Sequence, residues 1–596
     1  MINNKNLAIK ENFALALKNH QNNNLKVAEN LYKEILKIDS SHIDTLNNLG
    51  LVFQVLGESE KAINCYEKVI KINPNFVPAY FNLGNTFSAL NDYQKTIDYY
   101  EKVIEIDPSH KDAYNNLGVV FNELGEPQKA INCYEKVIEI DPSHKDAYNN
   151  LGVVFKKLGK SQKAINCYEN VIKIDPSHKD AHYNLGVVFK ELGKSQKAIN
   201  CYEKVIKIDP NYADAHNNLG AVFFEIGEYQ NAISCYEKAL KVDSSLVRAQ
   251  SNISNSYIGQ LNLEKAIITS YKALKMHHEN SEFINQSVSL FRLKHDVQLA
   301  KYLCQTGNIG RFFKSNNFKI NGIDEFQKVG NEILGHIENK EDENNYNKKI
   351  LLTKSETDAL LPFYKSDLIY QPKIISSCCI NPNKNWQKVE DEYLNYSKQI
   401  IYIDDFLSNE ALKELRKFCL VSKIWNSEYD NKYLGAFSDS GFISPIHLQI
   451  AIDLQQKLPK LFGPHRLGKF WGFKYDSTLG KGTNIHADFA IHNLNFWITP
   501  DEYNNNKNSG GLKVYDAPAP DNWTFKEYNT SSNKIYKFLD DNNAKCTNIP
   551  YKFNRAVLFN SAYFHETDEI DFKDEYEGRR INNTYLFGNR LVKTKN

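Results

Sequence analysis

The chain has 596 residues, which is too long for one hydrophobic core and predicts several domains. It is 42% hydrophobic and 24% charged, as ordinary globular proteins are. Its formal net charge of +1 excludes a global electrostatic bias toward nucleic acid, and the absence of a run of about 18 apolar residues excludes a predicted membrane span.

The N-terminal half of the sequence carries an internal repeat of 34 residues, from about residue 8 to 276. Glycines in an Asn-Leu-Gly triplet, prolines and alanines all recur at this one spacing, which chance does not produce. The glycines are Gly50, Gly84, Gly118, Gly152, Gly186 and Gly220.

Each repeat predicts two antiparallel helices. In one copy the first helix begins near Asp112, has apolar residues at helical spacing and ends at Gly125, where a left-handed C-cap fits. Gly118 leaves room for the second helix, which Pro142 terminates. Neither helix can bury its apolar face alone, so neighbouring repeats must stack.

This pattern resembles the tetratricopeptide repeat, and its wording is most similar to the repeats of the protein O-GlcNAc transferases. The resemblance implies an α-solenoid whose concave groove binds a protein or an extended peptide through an asparagine ladder. Side-by-side donor and acceptor groups suit an amide to backbone recognition. The alternative, surface asparagines inherited by duplication, stays open. The residues are Asn48, Asn82, Asn116, Asn150, Asn184, Asn218 and Asn252. No glycosyltransferase-like segment follows the repeats.

Five of the ten cysteines recur in the repeat, each one residue before a tyrosine. This spacing follows the apolar helix face and not a metal site, so we predict buried free thiols. Free thiols are typical of a reducing compartment, and we expect a cytoplasmic protein. The residues are Cys65, Cys133, Cys167, Cys201 and Cys235.

Three domains are predicted: the solenoid over residues 1–278, a helical or irregular connection over 279–395, and a β-rich domain over 396–596. Within the connection, residues 281–304 are predicted to be helical and 338–349 to form a linker. In the last domain we predict a strand at 400–403 and a helix capped by Ser408, followed by short alternating strands beyond Gly468.

The candidate metal ligands are His486, Asp488 and the distal His565. Residues two apart share a strand face, and two histidines with one carboxylate form the facial triad of non-haem iron(II) oxygenases. The pattern His-x-Asp alone is weak, because the repeats also contain it. We interpret those copies as turn and cap residues, and His492 as a packed or surface histidine that could compete as a ligand. The copies begin at His42, His110, His144 and His178.

Polar residues alternate after His565, so that Arg580, Asn582 and Thr584 share a strand face. With the triad, this segment resembles the prolyl-4-hydroxylase-like 2-oxoglutarate oxygenases over roughly residues 399–590. The resemblance implies a double-stranded β-helix, or jelly roll, with flanking helices, and iron(II) bound by the triad. It also implies that Arg580 and Thr584 hold the distal carboxylate of 2-oxoglutarate with help from Tyr475. Arg579 remains a rival for this clamp.

The sequence therefore predicts a multidomain α and β protein. Our leading hypothesis is an iron(II)- and 2-oxoglutarate-dependent dioxygenase that uses O2 to hydroxylate a protein or peptide recruited by the repeats, with no catalytic residue beyond the metal site. The first alternative is a repeat scaffold with an inactive jelly roll. The second is a small-molecule oxygenase docked through its repeats. We expect neither nucleic acid nor membrane as a partner.

Overall fold

A computed structural model describes residues 2–279, 287–306, 321–338, 349–364, 366, 368–375, 377–425, 427–429, 433–476, 482–520, 523 and 525–588. The chain divides into two compact units, residues 1–210 and 211–596. The predicted domain boundaries at 278 and 395 both lie inside the second unit.

The first unit consists of helical hairpins. Its described helices are α1 (Ile2–Gln21), α2 (Leu25–Ile38), α3 (Ile43–Val55), α4 (Ser59–Ile72), α5 (Val77–Ala89), α6 (Tyr93–Ile106), α7 (Lys111–Glu123), α8 (Pro127–Ile140), α9 (Lys145–Lys157), α10 (Ser161–Ile174), α11 (Lys179–Glu191) and α12 (Ser195–Ile208). Two helices per 34 residues confirm the predicted repeat.

Close contact between the two helices of a repeat depends on its glycine. A Cβ atom on Gly118 would lie 2.7 Å from Cε1 of Tyr134, so only glycine lets the tyrosine ring reach the first helix. Gly125 has a φ of 74°, as predicted for a left-handed helix end. The repeat cysteines are buried, and burial raises the pKa of the Cys133 thiol to about 11, as expected of packing residues.

The second unit begins with two further hairpins and continues into the mixed domain. Its described helices are α13 (Ala213–Glu225), α14 (Tyr229–Val242), α15 (Val247–Gly259), α16 (Leu263–Glu279), α17 (Leu290–Gln305), α18 (Asn321–Glu338), α19 (Lys354–Tyr364), α20 (Trp386–Asn395), α21 (Asn409–Val421), α22 (Pro445–Lys457), α23 (Pro459–Phe462), α24 (Phe525–Thr530) and α25 (Ser532–Asp541). Ser408 caps α21, as the sequence predicts.

The described strands are β1 (Ser287–Ser289), β2 (Lys349–Leu351), β3 (Ile400–Ile403), β4 (Ser427–Tyr429), β5 (Tyr433–Phe437), β6 (Leu467–Tyr475), β7 (His492–Trp497), β8 (Leu512–Pro518), β9 (Cys546–Ile549), β10 (Ala556–Asn560), β11 (Tyr563–Thr567) and β12 (Ile581–Phe587). β1 and β2 pair with each other. A seven-stranded sheet has the order β3-β10-β7-β12-β6-β5-β4, and a three-stranded sheet has the order β11-β8-β9. The paired strands in all three sheets are antiparallel.

The two faces of the seven-stranded sheet pack into two separate apolar cores. One face, with Leu494, Phe496 and Tyr585, belongs to a large apolar core that includes residues of α17, α21 and α22. On the other face, Trp497 packs with Val514 of the three-stranded sheet in a smaller core. The alternation of β7 and β12 also places asparagines on this second face, between the two sheets.

The last repeat departs from the pattern of the earlier ones. Ser254 and Ser270 stand where those repeats have glycine and tyrosine. The Ser270 hydroxyl donates to the carbonyl oxygen of Ser438 and accepts from the N–H of Gly441, both at 2.8 Å. The residue that replaces the tyrosine therefore bonds a segment of the mixed domain.

The connecting region differs from the sequence prediction at its start. Residues 287–289 are a strand and not the predicted helix, because they pair with β2; α17 begins only at Leu290, after its N-cap Ser289. Residues 280–286, and 339–348 of the predicted linker, lie outside the described residues. No helix among the described residues is both long and apolar enough for a membrane crossing.

Candidate metal centre

His486, Asp488 and His565 form the one group of potential metal ligands found among the described residues, and their ligand atoms all lie within 4.8 Å of one another. His565 lies on β11, and His486 forms an antiparallel bridge with it. The imidazole centroids of the two residues are 4.3 Å apart. A separation of 79 residues in sequence is thus closed by backbone pairing.

The ring nitrogens of both histidines are differentiated by backbone contacts. Nδ1 of His486 lies 2.7 Å from the carbonyl oxygen of Asn484, and Nδ1 of His565 lies 3.1 Å from that of Tyr563. A carbonyl can only accept, so Nδ1 carries the proton in each ring and Nε2 keeps a lone pair for a metal. Burial, with the nearby His486, holds the pKa of His565 well below its usual value, which favours the neutral ligand form.

The sequence analysis expected Asp488 to lie on a strand with His486. The structure does not place it on a strand. His486 belongs to an isolated bridge, and Asp488 lies in irregular structure after it. Its N–H donates to the carbonyl oxygen of Ser561 at 3.0 Å. Oδ2 of Asp488 lies 3.5 Å from Nε2 of His565. The expected proximity exists, but a loop and a side-chain contact produce it.

The rival histidines lie elsewhere. His492 is on β7, where Nδ1 is 3.2 Å from the Tyr393 hydroxyl and burial lowers its pKa to about 3. It is not part of the three-ligand group. The repeat copies cap helices: Nδ1 of His144, for example, accepts from the N–H of Ala147. Context separates them from His486, as expected.

Arg580 lies immediately before β12 and is 1% exposed. Its Nε donates to the carbonyl oxygen of Gly510 at 2.6 Å and Nη2 to that of Gly511 at 3.3 Å, while the guanidinium carbon lies 4.8 Å from the Tyr475 ring centroid. Nη1 has no hydrogen-bond partner among the described residues. Burial lowers the pKa of this guanidinium, and an incoming carboxylate would offset that cost.

Arg579 points to different surroundings. Its Nη2 donates to Oε1 of Gln298 at 2.6 Å and lies 3.9 Å from Oδ2 of Asp476. It does not line the cavity that holds Arg580 and the triad.

A cavity lies beside the triad and Arg580. Aromatic, hydroxyl and amide side chains surround the triad, and Tyr475 and Thr584 are both among them. The lining residues are Trp471, Phe473, Tyr475, Thr483, His486, Asp488, Asn495, Trp497, Leu512, His565, Thr567, Arg580, Asn582 and Thr584.

Sequence reasoning missed Asn493 and Asn495. Asn493 donates from Nδ2 to Oδ2 of Asp488 at 2.6 Å, and Asn495 donates from Nδ2 to Oδ1 of Asn493 at 2.6 Å. Both are buried. The available signal was their alternation with Leu494 and Phe496, because amides at every second position of a buried strand need partners.

The predicted ladder asparagines are all half-buried. Several use their amide N–H to bond the neighbouring repeat: Asn82 donates to Oδ1 of Asn47 at 3.1 Å, and Asn252 to Oδ1 of Asn217 at 3.2 Å. These bonds between repeats give the asparagines a structural part beside any peptide contact. Whether they bind a peptide stays a prediction.

Family models of the tetratricopeptide repeat match residues 43–76, 77–110, 112–144, 146–178 and 213–246, and related models match 167–200 and 188–227. Residues 43–246 are thus tetratricopeptide repeats, a class that generally binds proteins or peptides. All these segments end before the candidate metal ligands.

Three solved structures with similar repeats cover 28–31% of this chain. A crystal structure of MamA is 28% identical over 28% of this chain and 92% of its own, with a TM-score of 0.27. MamA from Desulfovibrio magneticus RS-1 is 20% identical over 28% and 96%, with a TM-score of 0.27. YrrB, described as a TPR protein with an unusual peptide-binding site, is 23% identical over 31% and 95%, with a TM-score of 0.28. Among curated proteins nothing matches this chain.

Proposed function

We propose that the domain over residues 396–596 is an iron(II)- and 2-oxoglutarate-dependent dioxygenase, and that the repeats recruit a protein or peptide for it to hydroxylate. The observation that carries the proposal is one cavity containing both a three-ligand group and the buried Arg580, whose Nη1 has no hydrogen-bond partner among the described residues. These are the two recognition elements that a metal-chelating dicarboxylate needs.

The ligand set fits iron(II). Two neutral imidazoles and one carboxylate are the facial triad of non-haem iron oxygenases, and three protein ligands leave positions open for small molecules. His486, Asp488 and His565 would hold the ion through two Nε2 atoms and a carboxylate oxygen. The antiparallel bridge keeps the two histidines in place before the ion binds, and a hydrogen bond from Asn493 holds Asp488.

The donors that line the cavity also suit 2-oxoglutarate chemically. Nη1 of Arg580 is a buried donor without a described partner, and a guanidinium pairs well with a carboxylate. The cofactor would therefore place its distal carboxylate at Arg580. The hydroxyl of Tyr475 lines the same cavity and can donate to it.

When bound, iron(II) and 2-oxoglutarate would supply an oxidation in which one oxygen atom of O2 converts 2-oxoglutarate to succinate and carbon dioxide and the other enters a C–H bond of the substrate as a hydroxyl. The chain's own residues bind and orient. Arg580 fixes the acid, the triad fixes the metal, and the buried rings of Tyr475 and Trp497 exclude water from the guanidinium.

The finer fold assignment is part of the proposal. Two antiparallel sheets packed face to face, with the triad between them, support a jelly roll of the prolyl-4-hydroxylase-like kind. Free cysteines support a reducing compartment such as the cytoplasm. For the repeats, tethering a substrate raises its effective concentration at the cavity, so that a small pocket suffices.

The test is anaerobic addition of 2-oxoglutarate to iron(II)-loaded full-length protein, followed by the metal-to-ligand charge-transfer absorption. We expect a band in the wild type and a much weaker one in Arg580→Gln at the same cofactor concentration. Arg579→Gln is the matched control, because it removes a neighbouring buried guanidinium that does not line the cavity.

The alternatives give different results. Absence of the band in folded, iron-loaded wild type would refute the oxygenase and leave a protein-binding repeat scaffold. If the band forms, incubation with O2 and proteins bound by the repeats, followed by mass spectrometry, tests for an added oxygen atom. Succinate formation that needs a small molecule and not a bound protein would favour a small-molecule oxygenase.

A further inference from the structure

We propose that Asn493, Asn495 and Thr584 form a hydrogen-bonded relay that fixes the orientation of Asp488, and that Thr584 belongs to this relay and not to the cofactor site. The cofactor part of this inference rests on the proposed function. The relay itself concerns only the metal ligands, and it is tested without turnover.

The relay consists of three short hydrogen bonds in sequence. Asn493 donates from Nδ2 to Oδ2 of Asp488, Asn495 donates from Nδ2 to Oδ1 of Asn493, and Thr584 donates from Oγ1 to Oδ1 of Asn495, each at 2.6 Å. All four residues are less than 9% exposed. Without these partners, each amide and hydroxyl would be a costly buried polar group.

The direction of the relay follows from its end. An ionised carboxylate only accepts hydrogen bonds, so Asn493 must present its NH2 group to Asp488. The carbonyl oxygen of Asn493 then needs a donor, which Asn495 supplies. Asn495 in turn presents its own carbonyl oxygen to Thr584 at 2.6 Å and to Nδ2 of Asn582 at 3.2 Å. The carboxylate therefore determines how both amides are turned.

The sheet holds the relay in place. Asn493 and Asn495 share one face of β7, and Thr584 lies directly opposite Asn495 on β12. Backbone pairing thus sets the spacing of the polar groups. The loop residue Asp488 is anchored through them to the most regular part of the domain.

The relay changes the expected part of Thr584. Its hydroxyl has one proton, which is donated to Asn495, and Nδ2 of Asn582 at 3.4 Å further supplies Thr584 with a donor. No proton of Thr584 is then left for a cofactor carboxylate. Donors for that carboxylate are Nη1 of Arg580 and the hydroxyl of Tyr475, which lines the same cavity.

Two dissociation constants distinguish a role of Thr584 in positioning Asp488 from a role in binding the cofactor. The first is the Kd of full-length protein for Mn(II), measured by the loss of the free-ion EPR signal. The second is the Kd of metal-loaded protein for 2-oxoglutarate, measured anaerobically. Loss of a side chain that hydrogen-bonds a metal ligand typically weakens metal affinity about 10- to 100-fold. We therefore expect Asn493→Ala to weaken Mn(II) binding by that factor. Thr584→Val should weaken it by about three- to tenfold and change the 2-oxoglutarate Kd less than about twofold.

Arg580→Gln is the opposite control, with weakened 2-oxoglutarate binding and unchanged Mn(II) binding. Thr584→Ser keeps the hydroxyl and should restore wild-type Mn(II) affinity, which a purely steric role of threonine would not produce. The inference is overturned if Thr584→Val raises the 2-oxoglutarate Kd tenfold or more with Mn(II) affinity unchanged. Wild-type protein that binds Mn(II) but no 2-oxoglutarate would refute the proposed function, while the Mn(II) series would still decide the relay.

Discussion

The backbones of His486 and His565 exchange two hydrogen bonds, with N-to-O distances of 3.0 and 2.8 Å. This pairing aligns two potential metal ligands from distant parts of the sequence. Their geometry is consequently set by main-chain contacts, and changes at either side chain should affect metal binding more than folding.

Metal binding should depend on His565 and not on similar sequence motifs. We expect the wild type to bind one equivalent of Mn(II), and His565→Ala to bind it at least about 100-fold more weakly, since a direct ligand matters more than its partners. His144→Ala removes the histidine of a repeat His-x-Asp motif, whose role is a helix cap, and should leave metal affinity unchanged. If all three proteins bound Mn(II) with equal affinity, the triad would not be the metal site.

Replacing the repeat glycine should destabilise the first unit. A Cβ atom on Gly118 would lie 2.7 Å from the Tyr134 ring, and overpacking of this kind costs about 1–3 kcal/mol. Thermal or urea unfolding of Gly118→Ala measures the loss. Adding Tyr134→Leu should make the alanine less harmful than it is beside tyrosine, because the shorter side chain relieves the clash.

Gly335 provides the control of opposite sign. It is also helical, but among the described residues no atom outside its own helix lies within 4 Å of a Cβ atom placed there. Gly335→Ala should therefore stabilise its helix by about 0.5–1 kcal/mol through the loss of backbone freedom in the unfolded chain. If both alanines had the same effect, the tyrosine contact would not explain the repeat glycine.

The contact of Ser270 with the mixed domain should contribute to the stability of the second unit. Ser270→Ala leaves the carbonyl of Ser438 and the N–H of Gly441 without this partner in a buried place, at a cost of about 1–3 kcal/mol. Thr269→Ala on the same helix removes a hydroxyl bonded only to its own helix and should change stability by less than about 0.5 kcal/mol. Urea unfolding distinguishes the two; equal losses would contradict a special part for Ser270.

Lys474 should make stability depend on pH. It is fully buried, and burial, with the positive charge of Arg579, holds its pKa well below the usual 10.5. The unfolded chain then binds a proton that the folded chain lacks, so the free energy of unfolding rises as pH increases from the folded pKa to about 10.5. Lys474→Met should be more stable at pH 7 by about 1 kcal/mol or more, an advantage that shrinks toward pH 10.5.

A second lysine of the same strand serves as the comparison. Lys469 is partly exposed and lies 3.5 Å from Asp439. Lys469→Met should change the free energy of unfolding by less than about 1 kcal/mol. This change should not depend on pH in the way expected for Lys474→Met. If the advantage of Lys474→Met did not vary with pH, Lys474 would be charged in the folded protein.

The sequence predicts the repeats well because their signals are local. The helix end at Gly125 and the space at Gly118 depend on contacts within one hairpin, and the period repeats each signal several times. In the last domain, alternation predicts the face shared by Arg580 and Thr584, and the structure places both on one cavity.

The features that the sequence did not predict depend on contacts between residues that are distant in sequence. Residues 287–289 form a strand only because β2 pairs with them, and nothing local indicates that partner. Asp488 reaches the histidines from a loop, which a strand-based argument cannot foresee. The role of Asn493 likewise depends on the distance to a carboxylate that sequence alone does not supply.

The substitution of serine for tyrosine at residue 270 also bears on how the array can evolve. The copies over residues 111–208 are nearly identical in sequence, whereas the last copy has diverged to receive residues 438–441. Gain or loss of a whole 34-residue copy among the identical ones leaves that junction intact. The number of repeats can therefore drift between descendants of this chain while the final hairpin remains committed to the domain that follows it.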